Sequence, residues 1–159
     1  MSSQSFLTYL VLILLLACFV LPVAADAAES DEAAEGLLAG RVLVRSGRYF
    51  EAMERLESAL IRADQTGRHL TAALALSNMA EIQRIHGNTA DAARYYGRAL
   101  ANYRVIGHRD GIAWSQKKIE ELTGTAVPPD LTASDQDALI DRAVERVRKR
   151  LNKKSPASE

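Results

Sequence analysis

Three histidines, one cysteine and scattered carboxylates are the residues of this 159-residue chain that could do covalent or acid–base chemistry. Their spacing does not assemble a reaction centre. His69, His86 and His108 each fall near the end of a helical stretch, and none belongs to a His-Glu-x-x-His pair. A histidine near the carboxyl end of a helix, as His86 is, ordinarily serves as a favourable partner for the helix dipole. Cys18 is the only cysteine and sits inside an apolar N-terminal run, so the rest of the chain has no thiol chemistry and needs no oxidative folding. There is no Gly-x-Ser-x-Gly elbow and no phosphate-cradling glycine loop. Glu51, Glu54 and Glu57 recur at helical spacing and read as a solvated face. The expectation is a protein that is not an enzyme and needs neither metal nor cofactor.

The elements around these residues are helical. In 49–66, Ala52, Met53, Leu56, Ala59, Leu60 and Ala63 recur every three or four residues, with charged residues between them. Ala72, Ala73, Leu76, Met79, Ala80 and Ile82 continue the pattern in 69–86. Gly47, Gly67, Gly87 and Gly107 punctuate the helical stretches, where a departing chain favours a left-handed residue. Helices are predicted at 31–46, 49–66, 69–86, 89–106 and 109–123. No segment alternates with the two-residue period of a strand, so the fold class is all-α.

The pattern also repeats. Residues 46–67 return forty residues later as 86–107, with identities at Gly47/Gly87, Ala52/Ala92, Ala59/Ala99, Leu60/Leu100 and Gly67/Gly107. A fixed period in this range marks a solenoid whose units bury their apolar faces against one another. The residues carrying the repeat resemble the tetratricopeptide repeat (TPR) family. Gly47-Arg48-Tyr49 and Gly87-Asn88-Thr89 match its inter-helix turn, Ala52/Ala92 and Ala59/Ala99 its small positions, and Leu56/Tyr96 its bulky one. Gly40 and Ala80 match the small residue in the first helix of each pair, and Gly107-His108-Arg109 matches the turn of a longer-helix variant. Gly36 and Leu76 stand where an early aromatic is usual, and no proline closes either repeat. The resemblance implies a right-handed helical-hairpin solenoid of about two and a half repeats over residues 31–123.

It implies a binding surface as well. In TPR solenoids the first helix of each pair lines the concave face. Here that register presents Leu37, Leu38, Arg41 and Arg45, then Leu74, Ser77, Asn78, Glu81 and Arg84, then Trp114, Lys117, Lys118 and Glu121. Arg41, Arg45, Asn78, Arg84, Trp114, Lys117 and Lys118 are the partner-binding candidates. Some TPR cochaperones clamp a peptide carboxylate in such slots. Asn78 and Lys118 match two of them, whereas Leu37, Arg41 and Trp114 depart from the others. A groove with more basic than acidic residues and one aromatic suits an acidic segment carrying an apolar residue.

Both ends of the chain carry their own signals. Phe6 to Ala25 are twenty uncharged residues, and Val23-Ala24-Ala25-Asp26-Ala27-Ala28 offers small residues for a signal peptidase. No Lys or Arg precedes the apolar run, which is also long enough to span a bilayer. Leu15-Leu16-Ala17-Cys18 resembles a lipoprotein signal. Residues 1–25 are therefore expected to be a signal peptide, an uncleaved anchor or a lipidated leader. All three export the repeats, with the bacterial periplasm as the favoured destination. An acidic linker (26–30) leads into the repeats, and a linker containing Pro128-Pro129 (124–133) follows them. A basic amphipathic helix is predicted over 134–152, with Ser134 and Asp137 as its capping pair, an apolar stripe from Leu139 to Leu151 and a Glu145–Lys149 pair. Residues 153–159 are expected to be a disordered tail.

The net charge is zero, which argues against bulk nucleic-acid binding. Charge is uneven, with an acidic stretch from Asp26 to Glu35 and a basic one from Arg142 to Lys154. Two functions fit: an exported adaptor or scaffold gripping a protein segment, and a membrane-associated assembly subunit held by its leader and basic helix.

Overall fold

The computed structural model describes residues 32–129 and 131–154. The expectations for the leader, the acidic linker and the end of the tail lie outside the described residues. Six helices are described: α1 (32–45), α2 (Tyr49–Gln65), α3 (His69–Ile85), α4 (Thr89–Val105), α5 (Arg109–Thr123) and α6 (Ala133–Lys154). There is no strand among the described residues. The first five follow one another through three-residue turns of one design. At the α3–α4 turn, Gly87 takes φ 78° and donates to the carbonyl of Arg84 at 3.0 Å. Asn88 then donates back to Gln83 at 2.9 Å, which closes the helix end in a Schellman-like arrangement. The equivalent bonds from Arg48, Arg68 and His108 to Leu43, Ala63 and Tyr103 make the four turns alike, so successive helices reverse direction in a regular way.

The small residues of the repeat lie where helices press together. A Cβ on Gly40 would fall 2.7 Å from Leu56, so α1 approaches α2 over a bare backbone. In the next unit Ala80 and Tyr96 occupy these places, both fully buried. Ala52, Ala59, Ala92 and Ala99 are also buried, as that packing requires. Two apolar clusters result. One is centred on Leu56, Leu60, Leu76, Met79 and Ile82, the other on Tyr96, Leu100, Ile119, Ile140 and Val144.

Helix α6 covers the end of the solenoid. Ile140, Ala143 and Val144 are buried against α4 and α5, and Ile140 packs directly over Gly97, where a Cβ would come 2.5 Å from its Cδ1. The capping pair differs from the expected one. Thr132 accepts from the backbone of Asp135 at 3.2 Å and donates to its carboxylate at 2.7 Å, two residues before the predicted Ser134 and Asp137. The helix consequently begins one residue earlier than predicted, at Ala133. Glu145 and Lys149 make no ion pair.

One contact through α6 has no counterpart in the apolar stripe. Gln136 is fully buried, donates to the Gly97 carbonyl at 2.9 Å and accepts from Arg104. The same guanidinium donates to the carbonyls of Leu131 (3.2 Å) and Pro128 (3.0 Å). A single arginine on α4 thus fastens both the linker and the first turn of α6.

Candidate binding cleft

The first helices of the successive pairs, α1, α3 and α5, share one side of the molecule, and a cleft of about 490 Å³ runs across them. Arg41 of α1 stands at one edge. Leu74, Ser77, Asn78 and Glu81 of α3 line the middle, and Asp110, Gly111 and Trp114 of α5 the other edge. Tyr103 of α4 completes the lining, and its ring fits there because Gly111 has no side chain: a Cβ would fall 2.5 Å from the ring.

Trp114 is 39 % exposed and lies edge-on to Tyr96, with ring centroids 5.2 Å apart. Tyr96 is itself pinned, because its hydroxyl donates to Glu81 at 2.8 Å. Burial, reinforced by the Glu81 carboxylate, pushes the Tyr96 phenol well above its ordinary range, so it remains a donor. Hydrogen bonding from Arg84, chiefly, holds Glu81 below the usual carboxylate range despite partial burial. The indole is therefore held against a fixed, ionised network rather than left to swing in solvent.

The cleft collects only part of the expected set. Arg41, Asn78 and Trp114 line it, whereas Arg45, Arg84, Lys117 and Lys118 do not. Arg84 pairs with Glu81, its Nε at 3.0 Å. Lys118 pairs with Glu121 at 2.8 Å, and Lys117 lies 4.0 Å from the same carboxylate. Hydrogen bonding from Lys118 also keeps Glu121 below its ordinary range. Leu37, expected in the groove, is buried in the core, and Leu38 faces outward with 58 % exposure. The expected excess of basic charge is thereby corrected: the lining carries Arg41 against Glu81 and Asp110. Asn78 spends one amide hydrogen on the carbonyl of Leu74 at 2.7 Å, so both residues matching the carboxylate-clamp slots already have donors engaged.

Tyr103, Asp110 and Gly111 were not among the sequence candidates. Their sequence signal is slight: a glycine inside the first turn of a helix, eight residues after an aromatic in the preceding helix.

The histidines have structural places. The Nδ1 of His108 accepts from the backbone of Gly111 at 3.0 Å and caps α5. His69 meets Asn102 at 2.9 Å, and His86 lies edge-on to Tyr49 at 5.3 Å. Among the described residues, no group of three His, Cys, Asp or Glu side chains is placed to hold a metal.

The cleft crosses the inner helices of stacked, glycine-turned hairpins that repeat every forty residues. Residues 32–104 match the tetratricopeptide repeat family. The fold is accordingly an all-α, TPR-like helical-hairpin solenoid, and TPR repeats generally mediate protein–protein interaction. No curated protein and no solved structure gave a significant match to the chain. The TPR match ends inside α4, so α5, which carries Trp114 and Asp110, lies beyond it. One edge of the cleft, Asp110, Gly111 and Trp114, is built by the part of the solenoid that follows the match.

Proposed function

We propose that this chain is an exported or envelope-associated interaction module that grips a segment of another protein in the cleft across α1, α3 and α5. The observation that carries the reading is the half-exposed Trp114, fixed by Tyr96 beside an apolar lining of Leu74 and Tyr103. Binding energy concentrates in such anchored aromatics. Arg41 and Asp110 make no ion pair among the described residues and stand at opposite edges, where each can meet an opposite charge on the bound segment. An acidic residue of the partner next to its apolar anchor would meet Arg41. Export rests on the uncharged run from Phe6 to Ala25 and the small residues after it.

A second reading is a membrane-associated assembly subunit. It is favoured by α6, where Arg142, Arg146 and Lys149 outnumber Glu145 around an exposed hollow beside Leu139 and would face anionic lipid or an acidic subunit. The test uses the partner that co-purifies with the tagged chain. Trp114→Ala should weaken binding by about 2 kcal/mol. Arg41→Glu should slow association, with a marked salt dependence. Folded variants that both bind as the parent does would move the site to α6. Recovery of the full chain in the soluble fraction at low salt, with none on membranes or on a co-sedimenting subunit, would count against the second reading.

A further inference from the structure

The outer face of α1 is unpartnered by any described residue. Opposite the side that packs on α2 through Ala33, Leu37 and Gly40, the helix presents Leu38 and Val42, which are 58 % and 64 % exposed. With Glu35 one turn before and Arg45 one turn after, these residues are spaced three, four and three apart. That is the spacing of a seam facing another helix. Neither Glu35 nor Arg45 makes an ion pair with another described residue.

The order acid, apolar, apolar, base is complementary to its own reverse. We propose that α1 pairs antiparallel with α1 of a second copy of this chain, about a two-fold axis passing beside Gly40. In that register Leu38 packs against Val42 of the second copy, and the reciprocal contact forms the other central layer. Glu35 then meets Arg45 of the second copy at both ends of the seam. An interface of this kind uses one patch twice, as closed two-fold symmetry requires. A parallel pairing would set Glu35 against Glu35 and Arg45 against Arg45, so the charges select the antiparallel arrangement. A two-fold axis perpendicular to the paired helices also keeps corresponding flanks on one side. Arg41, on the flank of α1 that lines the cleft, remains free, and the two clefts open in the same direction. The dimer would present two such sites to a bivalent partner.

The experiment is sedimentation equilibrium of the full chain over a range of concentrations, with helicity checked by circular dichroism. The parent should associate to a dimer. Glu35→Arg and Arg45→Glu, each alone, place like charges at both ends of the seam and should raise the dimer dissociation constant about tenfold or more. The double reversal, Glu35→Arg with Arg45→Glu, should restore the parent value. Leu38→Glu should leave a folded monomer. A parent chain that stays monomeric overturns the proposal. So does a double reversal no better than either single change, because it refutes the antiparallel register. Association unaltered by all these variants places the contact elsewhere, residues 1–31 included, and overturns it too.

Discussion

Replacing Arg104 by Met keeps the aliphatic stem and removes only the guanidinium. Three acceptors then lose their donor: the carbonyls of Leu131 and Pro128 and the amide oxygen of Gln136. Their losses are unequal. Pro128 is exposed and Leu131 partly so, so both carbonyls can turn to water at little cost. Gln136 is fully buried and cannot, so its oxygen bears the desolvation penalty of an unpaired acceptor, about 1–3 kcal/mol. Since the lost donor was charged, Arg104→Met should lower stability by about 2 kcal/mol. Urea unfolding followed by the fluorescence of Trp114, the only tryptophan, measures this directly. Hydrogen exchange should show the first turns of α6 opening more readily than α3. Adding Gln136→Leu removes the orphaned oxygen and should recover most of the loss, a coupling that neither single change predicts. A penalty below about 0.5 kcal/mol, or a double variant less stable than Arg104→Met alone, would refute the reasoning.

Two further outcomes follow from the packing and the charges. Ala92 is fully buried, so Ala92→Leu should cost about 1–3 kcal/mol, whereas Glu54→Ala on an exposed face should change stability by less than about 0.5 kcal/mol; equal effects in urea titrations would contradict the helix assignment. Because Arg84 holds Glu81 below its ordinary value of 4.5, the pair contributes stability above that value, and the contribution is lost as pH falls through the lowered one. The acid limb of the stability profile should therefore flatten in Arg84→Met, and an unchanged limb would show that the pair contributes nothing.

The helices and their small-residue contacts were legible because both are local. Periodicity sets the boundaries of α2 to α5 to within a residue, whereas α6 runs to Lys154, two residues into the stretch expected to be a disordered tail. The glycines between helices bring along the Schellman bonds that reverse the chain. Burial of Ala52, Ala59, Ala92 and Ala99 followed from their place in the repeat. The cleft was harder to read, because charge on a helix face is settled by neighbours. Arg84 and Lys118 appeared as free cations in the register, yet each is tied to a carboxylate three residues away on its own helix. Family register places Leu37 in the groove, but the flank of α1 that carries it is buried in the core. Tyr103 and Gly111 meet only because α4 and α5 pack together, and a helical period within either one cannot register that. Gln136 was hidden for a similar reason: a polar residue joins an apolar stripe only when a distant arginine, here thirty-two residues earlier, satisfies it.

The central claim is that the cleft side, and not the opposite side or α6, holds the partner. Site-specific photocrosslinking in cells tests it most directly, with the probe placed in turn at Asn78, Trp114, Glu54 and Arg146. One partner should be captured from positions 78 and 114 and not from 54 or 146. Capture from 54 or 146 alone, with 78 and 114 silent, would contradict the account.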